Sequence, residues 1–291
     1  MINFTNLPIK KKAYGGANGS KLSIVYKNEL YMLKLPMHAL RNPNLSYTNS
    51  CTSEYLGCHI FNMLGVKAQE TLLGEYEYHG KVRNVVACKD FTSLNTMIVD
   101  FASVKNQIID SASNGYGTEL SDIIDTIQKQ SVVDSKQLEE HFWNVFVIDA
   151  FIGNWDRHNG NWGFLYNQER DEMEIAPIFD CGSSLFPQID DEMIKKIITS
   201  NAEMNARVYD MPTSAILVNG KRGNYFNIIN SFEYKECNNA IKRIVPRIDL
   251  TEIDNLIDSV EQLSKLQKDF LKKILKLRKE LILDCAYAKI K

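Results

Sequence analysis

Apolar residues in the first ninety positions recur with period two, and beyond them with period three to four. The run "LSIVYKNELYMLKLP" alternates on both sides of Lys27-Asn28-Glu29, which predicts a β-hairpin. Counting by twos from Leu30 through Met32 places Lys34 on the same strand face, where an ammonium needs a partner. "TSEYLGCHIFNML" predicts a helix over 52–64, capped by Ser50 or Thr52, closed by Gly65, and carrying Glu54 in its first turn. "AQETLLGEYEYHGKVRNVVACKDF" predicts two strands around His79-Gly80-Lys81. Residues 1–90 thus read as a small antiparallel sheet with one helix. From 91 to 291 the segments "LSDIIDTIQK", "SKQLEEHFWNVFVIDAFIG", "DEMIKKIITSNAEMNARVY" and "NNAIKRIVPRI" are helical in spacing, and the last forty residues read as two helices. One strand signal interrupts them, "NWGFLYNQERDEMEIAPIFD", a hairpin turning at 168–171. The expected class is α+β in two lobes, 1–90 and a mainly helical 91–291.

Composition narrows the partners. The chain has 291 residues, 44% of them hydrophobic, and 34 Lys and Arg against 36 Asp and Glu give a net charge of −2. No global positive field is available for a nucleic acid, so an anionic ligand must be met by a local cluster. Six dispersed cysteines without a C-x-x-C pair argue against a zinc ribbon or a disulfide framework and fit a reducing cytoplasm. The N-terminal stretch lacks a signal-peptide core, and no apolar run is long enough to span a bilayer. The expected location is the cytoplasm of the producing cell, with any delivery to a host cell proceeding without a signal peptide.

The polar stretch "GNWDRHNGNWGFL" joins an apolar helix to the hairpin whose second strand delivers "IFDCG". Protein-kinase phosphoryl transfer needs a carboxylate for the hydroxyl proton, an Asn five residues later, and an Asp before Gly, the last two holding magnesium. Asp156, Asn161 and Asp180 have that order and spacing. "YGGANGSK", with Gly16, Gly19 and Ser20, would cover phosphates with backbone N–H groups; Lys34 would pair with phosphate oxygens and Glu54 would hold Lys34. Residues 86–90, "VACKD", would be the hinge that meets adenine through its backbone, Cys88 included. His158, without a nearby His or Cys partner, reads as a loop-orienting residue rather than a metal ligand.

At these residues the chain resembles a known group. The order Asp156-Arg157-His158, with Asn161 after it, is that of HipA-like bacterial kinases and of phosphatidylinositol kinases, and "GNWDRHNGNWGFL" with "APIFDCGSSL" and "GGANGSKLSI" looks like the HipA-like version. The resemblance implies a two-lobed kinase fold, ATP with magnesium, autophosphorylation, Ser/Thr protein substrates, and a bacterial effector or toxin-like role. Full-length HipA toxins carry a further N-terminal region and act with an antitoxin, and this chain begins almost at the nucleotide loop, so an antitoxin partner is not expected. Ser20 and Ser23 stand where HipA-like kinases autophosphorylate to displace the loop. Two alternatives remain: a lipid kinase, for which "LSKLQKDFLKKILKLRKELIL" would lie on anionic lipid, and a catalytically silent nucleotide-binding module.

Overall fold

The computed structural model describes residues 1–15, 21–38, 46–47, 49–109 and 113–290. Gly16, Gly19 and Ser20 lie outside the described residues.

Lys27 and Asn28 both take positive φ, 51° and 67°, forming the two-residue turn whose twist matches paired strands. They join β3 (Lys21–Tyr26) to β4 (Glu29–Lys34), so Glu29, expected within the turn, instead opens β4 opposite Tyr26. His79 and Gly80 do the same between β7 (Thr71–Tyr78) and β8 (Lys81–Lys89). With β1 (Ile2–Asn3) and β2 (Ile9–Lys10) these strands form a six-stranded sheet ordered β1-β7-β8-β4-β3-β2. It is antiparallel except at its rim, where β1 runs parallel to β7. The short strands β5 (Met37–His38) and β6 (Ser46–Tyr47) pair with each other.

Alternation on β4 sorts its side chains. Tyr31 and Leu33, with Leu35 beyond the strand end, enter a core with Phe4, Ile24, Val85 and Ala87. Met32 and Lys34 face the other way, toward α1 (Ser50–Met63). This helix starts earlier than the sequence predicts. Its cap is Asn49, whose side-chain amide donates to the Ile189 carbonyl (2.8 Å), and Ser50 is the first helical residue. Glu54 therefore sits in the second turn, not the first. Gly65, φ +79°, closes the helix as expected.

Beyond β8 come β9 (Thr96–Asp100), α2 (Phe101–Ile108), α3 (Leu120–Lys129), α4 (Ser135–Ile152), β10 (Gly163–Asn167), β11 (Glu172–Ile175), α5 (Asp191–Ile198) and α6 (Asn201–Asn205). The expected hairpin is β10–β11, but β9 adds a third strand on the far side of β10. A small hairpin, β12 (Leu217–Val218) and β13 (Lys221–Arg222), is a further strand pair that periodicity did not signal. Then follow α7 (Tyr225–Ser231), α8 (Lys235–Ile244), α9 (Leu250–Asp258), α10 (Lys265–Arg278), a π-helical stretch Lys279–Asp284 and α11 (Cys285–Ile290). Leu56, Ile60 and Phe61 of α1 belong to the same large core as α4, so this helix bridges sheet and helical region.

The lysine-rich α10 turns its apolar face inward. Phe270 and Ile274 are buried, while Lys265, Lys272 and Lys276 pair with Asp269, Asp258 and Glu280. A helix so engaged has no free apolar face to lay on lipid. Among the described residues no helix is long and apolar enough to cross a membrane.

Candidate active site

Three charged groups meet where the sheet faces the helical region. Lys34 Nζ donates to Glu54 Oε2 at 2.9 Å and to Asp180 Oδ1 at 3.0 Å, joining β4, α1 and the segment after β11. Glu54 is fully buried, and a carboxylate there is tolerable only when paired. Burial works to lower the Lys34 ammonium, yet Asp180 and Glu54 outweigh it and hold it well above the usual lysine value. Lys34 in turn keeps the Asp180 carboxyl below its ordinary value, against burial. Asp180 adopts φ +58°, a left-handed conformation that a short polar side chain accepts.

A second cation stands beside the first. The two-residue turn fixes the hairpin register so that Lys21 lies directly opposite Lys34, and Lys21 Nζ donates to the Gly15 carbonyl at 2.5 Å. Burial, then the Lys34 charge, lowers the Lys21 ammonium. Like charges facing each other across strands are unfavourable alone, and two cations at one spot suit a polyanion.

The loop carrying Asp156 begins at Gly153, which ends α4 in the left-handed region (φ +69°), where an added Cβ would overlap the Arg278 guanidinium. Asn154 accepts from the Asp156 N–H (3.1 Å) and donates to Asp149 (3.0 Å). The buried Arg157 donates through Nε to Asp149 (3.0 Å) and through one terminal nitrogen to the carbonyls of Asn161 (3.0 Å) and Phe179 (2.5 Å). One guanidinium thereby ties the backbone of Asn161, and of the residue before Asp180, to α4. Asn161 Nδ2 donates to the Asp156 carbonyl at 2.8 Å, leaving its Oδ1 as an acceptor. Burial raises the Asp156 carboxyl, His158 opposes that rise, and Asp180 adds to it.

Lys34, Glu54, Asp156, Asn161 and Asp180 all line one cleft of about 1070 Å³, together with Lys21. Cys88 does not join them. It is fully buried inside β8, between Thr71 and Met32 on the two neighbouring strands, so its backbone is enclosed in the sheet. β8 runs to Lys89, and the connection out of the sheet begins at Asp90, which lines the cleft and binds Lys12 (2.6 Å) and the Tyr14 hydroxyl (2.7 Å). Ser23 is buried within β3. Lys21 and Asp149 are residues that the motif spacing passed over, and Arg157, read there only as part of the Asp156-Arg157-His158 order, had no structural role assigned to it. Asp149 had one visible mark, a carboxylate inside the apolar run "FVIDAFI".

A six-stranded sheet with one bridging helix, a helical region behind it and an acid-lined cleft between them define a protein-kinase-like fold. The chain belongs to the HipA-like family: residues 13–263 match the HipA-like C-terminal domain. It is 46% identical over 290 residues to the serine/threonine-protein kinase CtkA of Helicobacter pylori, an alignment spanning 99% of this chain and 88% of that protein. The crystal structure of a Helicobacter pylori proinflammatory kinase CtkA superposes with a TM-score of 0.93 at 45% identity, over 99% of this chain and 97% of the other. HipA from a Shewanella oneidensis toxin–antitoxin complex with HipB and operator DNA shares the fold at a TM-score of 0.58 and 11% identity, over 95% of this chain and 67% of that one.

Proposed function

We propose that the chain is an ATP-dependent serine/threonine protein kinase of the HipA-like type, with Asp156 as the general base and Lys34, Asn161 and Asp180 as the groups that receive the triphosphate and its magnesium. The observation carrying this reading is the convergence of Lys34, Glu54 and Asp180 from three separate elements onto the cleft that Asp156 and Asn161 line. A magnesium ion that arrives on a nucleotide asks the protein for one or two oxygen ligands, the rest being phosphate and water. The Asp180 carboxylate and Asn161 Oδ1 fit that demand. Bound there, the ion would neutralise charge developing on the phosphates.

The chain's own residues then divide the work. Asp156 accepts the proton of a Ser or Thr hydroxyl as oxygen attacks the γ-phosphorus and the β–γ bridging bond breaks, leaving ADP. Its raised carboxyl brings its proton affinity closer to neutral pH, which suits a base. Lys34, fixed by Glu54, and Lys21 beside it meet phosphate oxygens. Residues 16–20, with Gly16, Gly19 and Ser20, would supply the phosphate-covering loop, and Asp90 with the residues after it the hinge toward adenine. Residues 1–90 would act as the nucleotide lobe and 91–291 as the catalytic lobe. CtkA is a proinflammatory kinase, and an effector role of this kind is the biological setting we propose here.

Transfer of radiolabelled γ-phosphate to a generic Ser/Thr protein, run beside Lys34→Met and Asp180→Asn, tests the reading. Label on the substrate and on the kinase with wild type, and none with either variant, is the expected result. Equal labelling by all three would remove the site. Liposomes containing phosphoinositides serve as the second substrate, and label in lipid alone would replace a protein kinase by a lipid kinase.

A further inference from the structure

We infer that the outer edge of β9 is the docking strand for the protein substrate, which would add to it as an extended segment carrying a Lys or Arg close to the phosphorylated residue. This deepens the kinase reading above and rests on it. β9 is the rim of its three-stranded sheet. The Asn95 carbonyl accepts from Gln168 N (2.8 Å) and Phe101 N donates to the Trp162 carbonyl (2.9 Å), so the odd-numbered residues spend their backbone groups on the β10 side. By alternation Thr96, Ile98 and Asp100 turn theirs outward. The Thr96 carbonyl is taken by Ser93 N, and the carbonyl of Asp100, the N-cap of α2, enters the helix. What remains among the described residues is the Thr96 N–H and then a donor, an acceptor and a donor in a row: Ile98 N–H, Ile98 C=O and Asp100 N–H. That row is what strand addition uses.

Three further features favour a peptide of this chemistry. Leu94, Met97 and Ile98 are 97%, 46% and 40% exposed, which gives the edge an apolar margin for alternate side chains. The strand leads to the reacting end of the cleft, because Ala102 N donates to the Asn159 carbonyl (3.0 Å) inside the Asp156 loop. At that end the Asp100 carboxylate accepts from Ser103 and, at 3.4 Å, from the Tyr116 hydroxyl, and it forms no ion pair among the described residues. An unneutralised carboxylate beside the arriving hydroxyl favours a basic neighbour over an acidic one.

The test is direct binding, so that it does not depend on catalysis. The probes are two fluorescein-labelled dodecapeptides with a central serine, one flanked by lysines and one by glutamates, titrated by anisotropy against the full chain with a non-hydrolysable ATP analogue present. Ile98→Pro removes the outward N–H while leaving the β10 side intact, and Asp100→Asn keeps the helix cap while removing the charge. The lysine peptide should bind about tenfold tighter than the glutamate peptide, Asp100→Asn should erase most of that difference, and Ile98→Pro should weaken both several-fold, the size of a lost interfacial hydrogen bond. Affinity for the analogue, read separately, should not move. Equal binding of the lysine peptide by all three proteins, no binding of either peptide by wild type, or a parallel fall in analogue affinity would each overturn the inference. If wild type transfers phosphate to proteins but the edge variants bind as it does, the docking strand fails and the kinase reading stands. If the peptide pattern holds without any transfer, the reverse is true.

Discussion

Lys34 and Arg157 are both enclosed cations with carboxylate partners, yet the two clusters are built for opposite behaviour. Lys34 is shared between Glu54, which is buried, and Asp180, whose side chain is 47% exposed on the cleft wall. Arg157 and Asp149 are both buried, and the guanidinium is saturated by backbone carbonyls besides. The first cluster can release a partner to an arriving phosphate or metal at small expense, because one of its members already touches water. The second cannot open without stranding a charge in the core. The groups proposed for the reaction thus sit on an exchangeable network, supported from behind by a fixed one.

The sharpest way to separate the two is by what each substitution costs. Asp156→Ala, in the loop between them, should lower turnover by about two to four orders of magnitude with the unfolding transition nearly unchanged; a rate near wild type in single-turnover kinetics would remove Asp156 from the chemistry. Two Asp→Asn changes should then diverge. Asp149→Asn leaves the Arg157 charge buried and should destabilise the chain by about 3–5 kcal/mol in urea unfolding. Asp180→Asn, half-exposed and with Glu54 still on Lys34, should change stability by less than about 1 kcal/mol while abolishing transfer. Similar stability losses in both would erase the distinction.

Acid should expose the same asymmetry. His141 on α4 is held near pKa 4 by burial and by the Arg157 charge. Because the folded value lies below the unfolded one of about 6.5, the unfolded chain binds the extra proton, and this contribution to stability is lost as pH falls from about 6.5 toward 4. Asp180, with its folded value depressed, contributes stability that is present above about 3.8 and lost only below it. Unfolding free energies of wild type and His141→Gln should therefore separate by about 2 kcal/mol across that window, wild type falling further; parallel curves would take His141 out of the frame. The smallest effect belongs to the neighbouring cation. Lys21→Met should raise the KM for ATP about tenfold with kcat little changed, the loss of one phosphate contact.

Much of this was legible before any coordinates. The hairpin at 168–171, the helix 120–129 and the facing of Lys34 follow from short-range periodicity and turn chemistry, which act over a few residues. What escaped depended on register or on distant packing. Placing Glu29 in the turn instead of in β4 hid the fact that Lys21 must oppose Lys34. β9 is only five residues, and its pairing with β10 is made across more than sixty positions of sequence. Asn49 stands at the N-cap position of α1 with its side-chain amide on the Ile189 carbonyl and no side-chain bond to a helix N–H, an arrangement invisible in the local pattern that favoured Ser50 or Thr52. The run "VACKD" places Cys88 in the hinge, whereas β8 continues to Lys89 and pairs Cys88 with Met32 on one side and Thr71 on the other.

Arg278, the last residue of α10, is buried against the carbonyls of Phe151, Arg207 and Met211. Phe151 lies two positions before the glycine from which the Asp156 loop departs, so the brace behind that loop comes from a helix 127 positions further along the chain. During synthesis on the ribosome the loop stays unbraced until residue 278 has cleared the exit tunnel, so a nascent chain interrupted earlier would carry every side chain proposed for the reaction without the guanidinium that braces their loop.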